Sequence, residues 1–96
     1  MKKKATPRVY IQVTAVWGND DADSTIKVSR RCWKQIQEGA EYDTVAPFHY
    51  EGQSGSVAWH FSGGLLSILG DDDRECLIGH PVEDLIVDVV TSRSQS

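Results

Sequence analysis

Hydrophobic and polar side chains alternate over the ten residues from Arg8 to Trp17. Every second position from Val9 onward is apolar. A period of two places these side chains on one side of an extended chain. The pattern therefore predicts a half-buried β-strand at the start of the domain.

One later stretch follows the period of a helix. Its apolar positions recur at helical spacing: Cys32, Trp33, Ile36 and Ala40. Ser29 can cap the first turn with its hydroxyl, and Gly39 suits the end of a helix. A helix of about ten residues is marginal alone, so we expect residues 29–38 to be stabilised by packing on one face of a sheet.

The rest of the chain has the composition of short strands separated by turns. The predicted strands are 25–28, 44–51, 56–62, 65–69, 75–79 and 85–90, and Pro47 indicates an edge or a bulge. Together these elements predict an α+β domain over residues 8–90, with a mainly antiparallel sheet of six or seven strands and one helix. Residues 1–7 are expected to form a flexible basic tail, and residues 91–96 a polar tail.

The two central hairpins predict which side chains share a face. Pairing Glu51 with Ser56, and Ser62 with Leu65 across a Gly63-Gly64 turn, gives one wholly apolar or aromatic face. Its members are Phe48, Tyr50, Val57, Trp59, Phe61, Leu66 and Ile68. We expect this face to form the core, with Trp33 and Ile36 of the helix packed on it.

The opposite face of these hairpins is mixed in character. It holds His49, Glu51, Ala58, His60, Ser62, Leu65, Ser67 and Leu69. A surface of this kind is typical of a partner or dimer interface. In the predicted register His49 and His60 are diagonal neighbours, and with Glu51 they could ligate zinc. Diagonal positions lie about 7–8 Å apart and no close ligand spacing supports a metal, so interface histidines are favoured.

Charge is distributed unevenly around the net value of −4. Residues 1–34 carry eight Lys and Arg against three Asp, a balance of +5, whereas residues 35–96 carry two Arg against eleven Asp and Glu, a balance of −9. The acidic part argues against nucleic-acid binding and suits a partner with a basic patch. Asp71, Asp72 and Asp73 could present carboxylates to such a partner.

Arg30 and Arg31 occupy the first helical turn, where the helix dipole favours acidic side chains. They are expected to be solvated or paired with carboxylates, or else to bind an anion or an acidic partner.

Candidate catalytic and metal-binding motifs are incomplete. Residues 19–24 resemble the start of a calcium loop, but Ser24 stands where that loop needs Gly, and Arg30 where it needs Glu. Cys32 is the conceivable nucleophile, yet it lies on the apolar stripe, which favours a buried structural thiol. The sequence therefore predicts neither an enzyme nor a bound cofactor.

The sequence has two cysteines and no apolar export segment, which indicates a reducing compartment. It contains no run of about 20 apolar residues, so no membrane span is predicted. We therefore expect a cytoplasmic protein that does not bind membranes.

Three motifs in order are Trp33-x-x-Ile36-x-x-Gly39, Tyr50-Glu51-Gly52 and Trp59-x-Phe61-x-Gly63. This pattern, over residues 28 to about 90, resembles small uncharacterised bacterial proteins encoded by mobile gene cassettes such as those of integrons. The resemblance implies an accessory bacterial protein that acts through binding, and it assigns no catalytic residue.

The favoured function is a non-enzymatic interaction or assembly module, and we expect it to form a homodimer through the His49 and His60 face. Two alternatives remain open. One is an inhibitor or immunity-type protein whose acidic surface caps a basic partner. The other is a small-ligand binder or small enzyme with a pocket near Cys32 or the histidines.

Overall fold

An antiparallel sheet of seven strands forms most of the molecule. The structure is a computed structural model, and it describes residues 8–70 and 75–92. The elements are β1 (Arg8–Trp17), β2 (Ala22–Ser29), α1 (Arg30–Gln37), β3 (Tyr42–Tyr50), β4 (Gln53–Ser62), β5 (Leu65–Leu69), β6 (Glu75–Pro81), a 3-10 helix (Val82–Asp84) and β7 (Ile86–Ser92). The predicted mainly antiparallel α+β architecture is confirmed. β7 continues two residues into the segment expected to be a polar tail.

The sheet is curled into a half-barrel. Its strand order is β6-β5-β4-β3-β2-β1-β7, so the last two strands of the chain lie at opposite edges. In a flat sheet, six spacings of about 4.8 Å would separate these edges by about 29 Å. The connection from Pro81 to Ile86 can span at most about 19 Å at 3.8 Å per Cα step. The edges must therefore approach each other, which gives the sheet an inner face and an outer face.

Side chains of the β6–β7 connection help to fill the inner face. Val82 and Leu85 are both buried in the core, and the Val82 N–H donates to the Gly64 carbonyl at 3.0 Å. The core also takes alternate residues of β1, as the sequence pattern predicted: Ile11, Val13 and Ala15. The short connection thus contributes to the core as well as joining the two edges.

Two-residue turns set the registers of the central hairpins. Glu51 (φ +48°) and Gly52 (φ +82°), like Gly63 (φ +60°) and Gly64 (φ +83°), have the positive φ values of type I′ turns. Ser62 pairs with Leu65, so the predicted β4–β5 register is confirmed.

The predicted β3–β4 register is wrong. Tyr50 pairs with Gln53 instead of Val57, a displacement of four residues. Because the displacement is an even number, every side chain stays on its predicted face although its cross-strand neighbours change. Trp59 and Phe61 are accordingly buried on the inner face, while Tyr50 at the end of β3 is exposed.

The helix contributes to the core but does not lie clearly across one face of the sheet. Ser29 caps it, accepting a hydrogen bond from the Cys32 N–H at 3.0 Å. Trp33 and Ile36 are buried, and the Trp33 ring meets Phe61 edge-on at a centroid distance of 6.3 Å. The helix therefore makes the expected contact with the inner face at Phe61. Phe48, near the other end of β3, instead packs near Trp17 of β1, with the two ring centroids 6.5 Å apart.

The sheet is split between β2 and β3. β2 and β3 pair only from Ala22–Tyr50 to Ser24–Phe48, and the next pair would set Thr25 opposite Pro47. Proline has no N–H for the ladder, so it is suited to the point where pairing ends. The Ser24 hydroxyl instead donates to the Pro47 carbonyl at 2.7 Å, and it accepts from Trp59 Nε1 at 2.9 Å.

Candidate interaction surface

Exposed apolar side chains form a row across the middle of the outer face. Val45 of β3 pairs with Ala58 of β4, which pairs with Leu69 of β5. Val45 is 68% exposed and Leu69 is 42% exposed. Leu65, at the other end of β5, is 44% exposed. We call these four residues, together with Asp43 and His60, the outer patch.

The outer patch includes a shallow depression of about 480 Å³. Its lining is mostly apolar and comes from three adjacent strands: Asp43, Thr44, Val45, Ala58, Trp59, His60 and Leu69. Central strands of an antiparallel sheet bury one face and can leave the other open. The geometry therefore offers a mainly apolar surface across three adjacent strands.

A polar pair borders the apolar row. Asp43 and His60 are cross-strand partners, and His60 Nδ1 contacts Asp43 Oδ1. Both side chains are exposed, so the pair adds at most about 1 kcal/mol to the stability of the fold. The pair places hydrogen-bonding side chains directly beside the apolar row.

The two histidines of the predicted interaction face are far apart. His49 lies on the outer face, but it pairs with Ser54, six residues along β4 from His60. At about 3.3 Å per residue, this separates the two positions by about 20 Å along the strand. Glu51 lies in the β3–β4 turn. The expected diagonal contact of His49 and His60 is therefore wrong, because it depended on the incorrect register.

The described residues contain no group of three or more His, Cys, Asp or Glu side chains that could hold a metal ion. Arg30 and Arg31 are exposed in the first turn of α1, and neither forms an ion pair within residues 8–70 and 75–92. Asp71, Asp72 and Asp73 lie outside the described residues.

The two remaining candidates, Ser24 and Cys32, have the contacts of residues that stabilise the fold. Ser24, in the calcium-like stretch, is buried in β2 and bonded to Trp59 and Pro47. Cys32 packs against the core, and burial raises the pKa of its thiol above the ordinary value of 9.0. A raised pKa leaves less thiolate at neutral pH, which disfavours Cys32 as a nucleophile. Cys32 and Cys76 are not joined by a disulfide.

Asp43 and Val45 were missed as site residues by sequence reasoning. Asp43 was placed outside its strand, and the incorrect register set His49 instead of Val45 opposite Ala58. The two-residue Glu51-Gly52 turn is the signal that could have found them, because it sets Asp43 opposite His60 and Val45 opposite Ala58.

Comparisons of the chain with protein-family models, with curated proteins and with solved structures gave no match. No helix in the described part of the chain has the length and apolar character needed to cross a membrane.

Proposed function

We propose that this chain is a non-enzymatic protein-interaction module that forms a homodimer through the outer patch. The observation that carries the proposal is the exposed row of Val45, Ala58 and Leu69 across three adjacent strands. Single exposed apolar residues are ordinary, but contiguous ones mark interaction surfaces.

A second copy is a chemically suitable partner for this patch. A two-fold axis brings a surface against itself, so the surface must be self-complementary. The apolar row carries no charge, and Asp43, the acid of the outer patch, lies beside the row in contact with His60. Two copies could therefore pack sheet against sheet, at about 10 Å, without opposing unpaired like charges at the centre.

The size of the patch sets the expected affinity. Three strands span about 14 Å, and β5 from Leu65 to Leu69 spans about 13 Å, which gives roughly 180 Å². Stable complexes bury about 800 Å² on each partner, so the dimer should be weak, with a dissociation constant in the micromolar range or above.

Other features fit this proposal. We propose that the helix covers the inner side of the sheet, which leaves the outer face available. Cys32 and Cys76 are not joined by a disulfide, which suits a reducing cytoplasm. An accessory bacterial role, as in the mobile-cassette proteins that the sequence resembles, is compatible with an activity that consists of binding.

Sedimentation equilibrium between about 1 µM and 1 mM tests the proposal with two matched variants. Val45 and Val89 are the same residue type and are both 68% exposed, but Val89 lies on β7, away from the outer patch. We expect the unmodified chain and Val89→Glu to show the same concentration-dependent dimer. Val45→Glu should remain a monomer, because each copy would bury a carboxylate against the other.

Two results would overturn the homodimer. One is a monomer at every concentration for the unmodified chain. The other is an equal loss of association in both variants, which would assign the interface to another surface. Thermal unfolding of each variant would establish that the substitutions leave the fold intact.

A further inference from the structure

The two edges of the sheet differ in how they are protected against pairing with another strand. β6 has two register shifts against β5, a glycine at positive φ (Gly79, +62°) and a terminal Pro81. Bulges and prolines are features that block strand addition at an edge. β7 pairs with β1 over seven consecutive residues without a shift, and its sequence contains no Gly, Pro or Lys. Within residues 8–70 and 75–92, β7 is therefore the less protected edge.

Exposed apolar side chains lie on both faces of β7. Ile86 is 54% exposed, Val87 is 40% exposed and Val89 is 68% exposed. Val87 and Val89 pair with Val13 and Ile11, which are buried on the inner face. The apolar inner face thus continues onto β7, where the described residues leave it largely uncovered.

We infer that β7 accepts an extended segment of another protein as an eighth strand, with apolar side chains and a Lys or Arg opposite Asp88. An edge strand offers N–H and C=O groups along its free side, and an added strand satisfies them while covering its apolar side chains. Asp88 is the single charged residue of β7 and is exposed on the outer face, opposite Gln12. Exposed Glu83 and Asp84 precede the strand and add to the local negative charge.

The same charge disfavours a second copy of β7 as the added strand. In an antiparallel pair around a two-fold axis, the register with the best apolar match sets Val87 opposite the second copy's Val89. That register also sets the two Asp88 carboxylates directly opposite each other, and like charges at such positions destabilise the pair. Moving the axis to Val89 separates the carboxylates but sets Asp88 opposite Val90. A strand with Lys or Arg opposite Asp88 avoids both the repulsion between two carboxylates and the pairing of a carboxylate with valine.

Two synthetic peptides test this inference. Both have the sequence of β7, but one carries Lys in place of Asp88. Each is titrated to millimolar concentration against the full chain, and binding is measured by fluorescence anisotropy together with hydrogen exchange at the β7 amides. We expect the Lys peptide to bind about fivefold or more tightly than the Asp peptide, and to slow exchange at alternate amides of β7.

A charge exchange separates specific pairing from general attraction. Asp88→Lys in the full chain should reverse the preference, so that the Asp peptide binds more tightly. Asp23→Lys changes an exposed acid on β2 and should leave the preference for the Lys peptide unchanged. The inference is overturned if neither peptide slows exchange in β7, or if the preference does not follow residue 88. Either outcome is independent of the outer patch, because the patch is not altered in these variants.

Discussion

The buried hydroxyl of Ser24 is the most direct test of the energetics of this fold. Ser24 is 1% exposed, accepts a hydrogen bond from Trp59 Nε1 and donates one to the Pro47 carbonyl. Ser24→Ala would leave both of those groups without a partner. Each orphaned buried group costs about 1–3 kcal/mol, so we expect a loss of about 2–4 kcal/mol in the free energy of unfolding. A domain of this length is stabilised by only about 5–14 kcal/mol in total, so the loss would be severe.

Urea unfolding followed by tryptophan fluorescence measures this loss. With a slope of about 2 kcal/mol per molar, the midpoint should fall by about 1–2 M. Thr14→Ala is the control, because Thr14 and Thr25 also share a hydroxyl hydrogen bond, at 2.9 Å, but only partly buried on the outer face. The control should lose no more than about 1 kcal/mol.

A double-mutant cycle identifies the source of the cost. Trp59→Phe removes the indole N–H that Ser24→Ala leaves unpaired. The double variant should therefore lose less than the sum of the two single variants, by about 1 kcal/mol. The reasoning is refuted if Ser24→Ala lies within about 0.5 kcal/mol of Thr14→Ala, or if the two substitutions are additive.

Two further predictions concern the β4–β5 turn and the thiol of Cys32. Gly64 has φ +83° with open space where a Cβ would lie, so Gly64→Ala should cost about 1–2 kcal/mol through backbone conformation alone, and Gly64→Asn less, in the same urea assay. Because burial raises the pKa of Cys32, alkylation at pH 8 should be slower in the folded chain than in urea, as measured by peptide mapping; an equal or faster rate would contradict this. The same shift predicts that the free energy of unfolding falls as the pH rises above 9, since the unfolded thiol ionises first, and that Cys32→Ala lacks this decline.

The elements that were predicted correctly depend on local chemistry. The alternation from Arg8 to Trp17 matches β1 at both ends, and the Gly63-Gly64 turn gives the correct β4–β5 register. Ser29 caps the helix as expected. In each case the residues that determine the structure are close together in the sequence, so their pattern is sufficient.

The β3–β4 register was not predicted because its turn contains a non-glycine residue at positive φ. Glu51 has a φ of +48°, which few side chains other than Asn, Asp and Gly adopt readily. The residues 52–55 offered a more conventional turn composition. The even displacement preserved the faces, so five members of the predicted core face are buried (Val57, Trp59, Phe61, Leu66 and Ile68), but Tyr50 is exposed and the site was not predicted. His60 lies beside Asp43 instead of near His49.

The curl of the sheet and its split at Pro47 depend on residues that are distant in the sequence. Pro47 was expected to mark an edge or a bulge, and it lies where the β2–β3 ladder ends. Nothing near Pro47 in the sequence indicates that Ser24, on another strand, bonds to its carbonyl. The half-barrel likewise follows from the short Val82–Leu85 connection only when β6 and β7 are known to lie at opposite edges.

The outer patch and the β7 edge should function independently. Val45 lies on β3, three strands from Asp88 on β7 in the sheet order, which corresponds to about 14 Å along the curved sheet. Substitutions more than about 10 Å apart with no shared partners are usually additive. A double variant, Val45→Glu with Asp88→Lys, should therefore be monomeric by sedimentation and should still prefer the Asp peptide by the same factor as Asp88→Lys alone. A changed peptide preference in the double variant would mean that the two surfaces are coupled, because the curled sheet brings them into one interface.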